Sequence, residues 1–199
     1  TLRCFQEIIT VWEMTQDRQT TKQLSAEWER IFHSHLPLRI HYAPGEMICQ
    51  AGSYVAGIHL IVHGVVSDVM LTASEEPRDT HILADGDLIG IEILDGSTDR
   101  LATSLCRAIT PVELLFIERR QLQKAIHDHP ELQQSLVGYL VNRYVLTRED
   151  PRHRASVDSR LCRLLLQLGS VCGRPTEDDR IALPSAITPR VLGELLCIS

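Results

Sequence analysis

Lysine is nearly missing from this 199-residue chain, with only Lys22 and Lys124 among its 20 basic side chains. Aromatic residues are also scarce, at 5%. No uninterrupted apolar run approaches the roughly 20 residues needed to cross a bilayer, which excludes a helical membrane protein and argues for no membrane partner. The N-terminal stretch has no compact apolar segment with a cleavage site, so nothing points to secretion. The six cysteines stand at 4, 49, 106, 162, 172 and 197. None lies within four residues of another, so the close pairs of a zinc finger or an iron–sulfur cluster are absent. Cysteines scattered in this way read as reduced core residues of a cytoplasmic protein. The sequence contains no nucleophile elbow and no phosphate-binding loop, and the reading is not an enzyme.

What is present is an ordinary globular mixture, 44% apolar and 23% charged, with net charge −6. The charge is uneven. Residues 1–110 carry 8 basic and 15 acidic side chains, a net of −7, and residues 111–199 carry a net of +1. An acidic front and a mildly basic back suggest two modules with different partners.

The hydrophobic period changes along the chain. Over residues 1–35, Leu2, Phe5, Ile9 and Trp12, then Leu24, Trp28, Ile31 and Phe32, recur at helical spacing. From Leu38 to Ile117, short apolar runs follow one another at about ten-residue spacing, punctuated by Gly, Pro and Asp. This predicts an antiparallel sandwich or roll. Pro44-Gly45 predicts a type II turn with positive φ at the glycine. Helical spacing returns at Leu122 and Ile126, and His129-Pro130 restarts a helix with proline at its tolerated first position. Leu132, Leu136, Tyr139, Leu140 and Tyr144 form an apolar stripe broader than one face against the roll requires, which predicts a homodimer along this helix. Pro151 predicts a kink or break between Thr147 and Arg154. A further helix is expected over Asp158–Gly169, then a short strand at Ile181–Leu183. A last helix opens at Thr188-Pro189, with Thr as N-cap.

The order of these elements resembles the Crp/Fnr family of bacterial transcription regulators. Tyr42-Ala43-Pro44-Gly45-Glu46-Met47-Ile48 with Gly52, the stretch from Gly57 to Val66, and Asp85-Gly86-Asp87-Leu88-Ile89-Gly90 are similar to the family's roll motifs. Asp158-Ser159-Arg160-Leu161 resembles the start of its DNA-binding domain, and Thr188 to Ser199 resembles the first helix and turn of its helix-turn-helix. Thr110-Pro111-Val112-Glu113-Leu114-Leu115 looks nearest the cyanobacterial nitrogen regulators. The resemblance implies an α+β chain: N-terminal helices over 1–35, a cyclic-nucleotide-binding-like β-roll over 36–118, a linker and dimerisation helix over 119–155, and part of a winged helix-turn-helix domain over 156–199. It implies a homodimeric, effector-responsive regulator that binds DNA, and that contacts RNA polymerase if it is an activator. The alternative is a sensor module that signals through protein contacts without DNA.

The resemblance also supplies candidate site residues. Gly90, Ile91, Glu92, Arg100 and Thr103 lie in the ligand cassette, and Arg143 is placed to complete the pocket from the long helix. A buried anion needs backbone donors at a glycine turn and an arginine for bidentate pairing, and Gly90 and Arg100 are the right types. The implied effector is a cyclic nucleotide or 2-oxoglutarate, set against a degenerate pocket with no effector. Counting back from Thr110 puts Ala102 where the family's anion-binding arginine would stand. Either the loop is shorter and Arg100 serves, or that arginine is missing. Thr188, Arg190 and Ser199 are the DNA-side candidates, with phosphate contacts from Arg148, Arg152, Arg154, Arg160 and Arg163. The chain stops at Ser199, where the recognition helix is expected to begin. Of the nine histidines, no two stand four apart on a predicted helix, and neither a metal nor a haem site is expected.

Overall fold

A computed structural model describes residues 28–71, 77–95, 100–148, 156–178 and 180–196. Helix α1 (28–34) leads into β1 (Leu38–Tyr42) and β2 (Met47–Cys49). Then come β3 (Gly57–His63), β4 (Val66–Leu71), β5 (Pro77–Leu83) and β6 (Leu88–Ile89), and a 3-10 turn η1 (Ile91–Asp95). Strands β7 (Ser104–Ala108) and β8 (Val112–Glu118) complete the roll. Helices α2 (Arg119–Asp128), α3 (Pro130–Arg148) and α4 (Val157–Cys172) follow, then β9 (Arg174–Pro175), β10 (Ile181–Ala182) and α5 (Pro189–Leu195).

The roll is two antiparallel four-stranded sheets, ordered β1-β8-β3-β6 and β2-β7-β4-β5. Their inner faces meet through Ile61, Ile89, Val112 and Leu114 of the first sheet and Val66, Leu83, Cys106 and Ala108 of the second. Period-2 alternation puts these residues on one side of each strand. At the predicted Pro44-Gly45 turn, Gly45 adopts φ +87°, a value that a side chain disfavours.

A second cluster joins the first sheet to the helices. Trp28 and Phe32 of α1 and Leu122 of α2 pack with Ile58, Leu60, Leu115 and Ile117. Leu132, Leu136 and Tyr139 of α3 belong to the same cluster, and Leu140 packs against it. Of the stripe expected at a dimer seam, Leu132, Leu136 and Tyr139 are therefore covered within the protomer, whereas Leu140 stays half-buried. These side chains cover the protomer's own roll at Ile58 and Leu60 of β3, Leu88 of β6, and Leu115 and Ile117 of β8. The side chain of Tyr144 lies outside the described residues. Among the described side chains, the large apolar ones that α3 turns outward are Val137 and Val141, about half exposed and one turn apart.

Helix α4 runs three residues beyond Gly169, to Cys172, and turns at Gly173, whose N–H bonds back to the Gly169 carbonyl. Gly169 does not end the helix as its sequence position suggested. Its bare face lies against Ile181, with Ile181 Cγ2 3.7 Å from where a β-carbon would be, an ordinary contact distance that an alanine could also fill. Leu164 and Leu168 of α4 and Leu195 and Leu196 around the end of α5 share a third cluster with Val65, Ile82 and Ile109 of the roll. The expected kink at Pro151 lies outside the described residues. No helix among the described residues is long and apolar enough to cross a membrane.

Candidate functional site

A cavity of about 340 Å³ opens in the roll, bounded by the cassette, by strands β4, β5 and β7, and by α3. Small-molecule sites start near this size, at roughly 300 Å³. Five of the six effector candidates, Gly90, Ile91, Glu92, Thr103 and Arg143, line it. Arg100 does not. It is exposed, its carbonyl accepts the Val55 N–H at 3.0 Å, and the next residue, Leu101, bridges to Tyr54. Ala102, at the position counted back from Thr110, is buried. The cassette therefore brings no arginine to the cavity wall among the described residues.

The cavity's cation comes from the long helix and is already paired. Arg143 Nη2 donates to Asp68 Oδ2 at 2.6 Å, and Arg143 Nη1 donates to the Tyr139 hydroxyl oxygen at 3.1 Å. That oxygen also accepts the Leu88 N–H at 3.1 Å, and its proton points to Asp87 Oδ1 at 3.4 Å. Asp68 is 8% exposed at the side chain, in mid-strand on β4. Burial works against the charge on Arg143, but Tyr139 and the carboxylates of Asp68 and Asp87 more than offset it and hold its pKa above the ordinary arginine value. Burial likewise pushes the Tyr139 phenol up, reinforced by Asp87, so it stays a neutral donor. Cys106, opposite Asp68 on β7, has its thiol raised by burial and by Asp68; it keeps its proton and offers it to Asp68 Oδ1 at 3.6 Å.

Glu92 closes the cassette. Its Oε1 accepts both the backbone N–H of Thr103, at 3.0 Å, and the Thr103 hydroxyl, at 2.8 Å. This ties η1 to the start of β7 across the intervening loop. Gly90 has φ +84°, and a β-carbon there would come within 2.7 Å of the Gly57 carbonyl oxygen. Close approach to β3 is sufficient reason for a glycine here.

Asp68, Asp87 and the hydroxyl of Tyr139 were missed as site residues. A signal existed for Asp68: it shares a strand face with Val66, which points into the core, and a buried carboxylate requires a partner. Among the described residues, no group of three His, Cys, Asp or Glu side chains is arranged to hold a metal.

On the DNA-side candidates, Thr188 caps α5, its hydroxyl oxygen accepting the Val191 N–H at 3.3 Å. Arg190 is largely exposed and pairs with Glu194 at 3.0 Å. Arg160 donates to the Leu196 carbonyl, so it braces α4 against α5. Ser199, Arg152 and Arg154 lie outside the described residues, as does the side chain of Arg148.

Residues 39–129 match the protein family described as the cyclic nucleotide-binding domain. No curated protein matches the sequence. Among solved structures, the c-di-GMP-responsive global regulator CLP of Xanthomonas campestris superposes with a TM-score of 0.66 at 18% identity, over 87% of this chain and 86% of that one. FixK2 of Bradyrhizobium japonicum gives 0.58 at 16% identity, over 82% and 79%. The catabolite activator protein of Thermus thermophilus gives 0.52 at 22%, over 87% and 77%. At these identities the likeness speaks to the fold, and in fold the resemblance to Crp/Fnr regulators is borne out along most of the chain. The placement nearest the cyanobacterial nitrogen regulators has no support in these matches.

Proposed function

We propose that this chain is an effector-responsive transcription regulator that acts as a homodimer on DNA in the cytoplasm. The observation that carries the reading is the wall shared by cavity and helix. Arg143 and Tyr139 of α3 hold Asp68 and the Asp87–Leu88 turn, so any molecule entering the cavity bears on the helix whose outward face offers Val137 and Val141. A second copy covers that face. The effector biases two placements of the C-terminal modules by its differential affinity for them. A two-fold dimer of such modules addresses half-sites about 34 Å apart. Contact with RNA polymerase follows if the protein activates.

The test is selection of genomic fragments by the purified full-length protein. Enrichment of a two-fold symmetric motif, with affinity falling steeply as salt rises, is the expected result. Retention of no motif, with a dimeric protein and an unchanged roll, would instead favour a sensor that signals through protein contacts.

A further inference from the structure

We infer that the molecule received by the cavity is a hydrogen-bond donor, neutral or cationic, and not a phosphodiester or a dicarboxylate. This rests on the preceding reading that the cavity is the effector site, and it parts from the ligand class that the matched domain family implies.

The argument is one of charge and of spent hydrogen bonds. Among the described residues the lining carries the carboxyl groups of Asp68 and Glu92 and the guanidinium of Arg143, with His81 beside them. Two carboxylates face one guanidinium, and that guanidinium is 2.6 Å from Asp68. An anion would have to compete with Asp68 for the Arg143 guanidinium, whose Nη1 is also engaged by the Tyr139 hydroxyl. Stripping a buried carboxylate of its partner costs more than an exposed ligand pair returns. No arginine from the cassette offers a second anchor, because Arg100 faces solvent and Ala102 occupies the inward position. The Gly90 turn is explained by its approach to Gly57, so it is not evidence for a phosphate cradle.

The same geometry favours donors. Among the described residues both hydrogen bonds to Glu92 fall on Oε1 and none on Oε2, whose lone pairs can serve a ligand. Asp68 Oδ1 receives, among the described residues, only the long contact from the Cys106 thiol, at 3.6 Å. The surrounding wall of Leu83, Leu88, Ile89 and Ile91 suits an apolar body. An amidinium, amine or amide carried on a ring or short aliphatic frame meets these requirements. A carboxylate or phosphate of the same shape does not.

A matched pair of probes tests this in the full-length protein: benzamidine and benzoate share a ring and a planar fork and differ in charge. Calorimetry or ligand-observed NMR at millimolar concentration is expected to find benzamidine at least tenfold tighter. Glu92→Gln should narrow that gap. Asp68→Asn, by releasing Arg143, should shift preference toward benzoate; if this variant does not fold, the Glu92→Gln comparison still decides. Benzoate, cyclic AMP or 2-oxoglutarate binding the native cavity as tightly as benzamidine overturns the inference and leaves the effector reading standing. Silence of all four probes also overturns it. The effector reading itself falls only if, in addition, filling the cavity with Ser104→Trp leaves DNA affinity unchanged.

Discussion

Arg143 Nη2 and Asp68 Oδ2 stand 2.6 Å apart, joining the long helix α3 to the middle of strand β4 across 75 residues of chain. Both groups are largely buried, with side chains 25% and 8% exposed. Removing either partner alone is expected to cost about 3–5 kcal/mol, because the other is left charged in a poorly solvated site. Arg143→Met with Asp68→Asn should cost much less than the sum. A double-mutant cycle from urea denaturation checks this, and additive losses would mean the pair does not interact.

The outward face of α3 makes a second prediction. Val137→Asp with Val141→Asp should turn the proposed dimer into a folded monomer in sedimentation at micromolar concentration, since both side chains are about half exposed in the single chain. Leu136→Ala should behave differently. Leu136 is buried against the roll, and its truncation should cost about 2–5 kcal/mol of stability. If Leu136→Ala dissociates the dimer with no loss of stability, the assignment of the two faces is wrong.

Acid sensitivity is expected from His59. Burial lowers its pKa to about 4, its ring packs on Phe116 with centroids 4.7 Å apart, and its Nδ1 is buried with no hydrogen-bond partner among the described residues. The unfolded chain binds the proton first, near its ordinary value of about 6.5. Stability attributable to neutral His59 is therefore fully present above about pH 6.5 and is lost as pH falls toward about 4, at up to roughly 1.4 kcal/mol per pH unit. Denaturation midpoints measured across that window should fall for the native protein and fall less for His59→Leu. Parallel slopes in the two proteins would remove His59 as the cause.

How much of this was legible in the sequence follows from which interactions are local. The eight roll strands, the Pro44-Gly45 turn and the Thr188 cap depend on period-2 alternation or on neighbours within a few residues, and each was visible. The partner of an apolar face was not. Leu132, Leu136 and Tyr139 have the same spacing whether they meet a second copy or β3 and β8 of their own chain, and the structure gives the latter. The cavity was half legible: Glu92 and Thr103 sit in one cassette, whereas Asp68 and Arg143 meet only through the fold.

The last prediction concerns the seat of the C-terminal module. Ile109, just beyond β7, is 6% exposed and belongs to one apolar cluster with Leu168, Leu195 and Leu196. Its backbone is fixed independently, since the Ile109 N–H donates to the Val65 carbonyl at 2.8 Å, so the side chain can be changed without disturbing the turn. The polar link nearby is weak: Arg107 and Glu194 are 3.9 Å apart and both are more than 40% exposed, a geometry contributing about 0–1 kcal/mol. Apolar burial therefore holds the module to the roll. Ile109→Asp should raise amide hydrogen exchange across 157–196 while exchange in β3 and β8 stays slow. Arg107→Ala should leave both patterns unchanged. Uniformly faster exchange in Ile109→Asp would mean that the residue stabilises the whole fold and not the seat of this module.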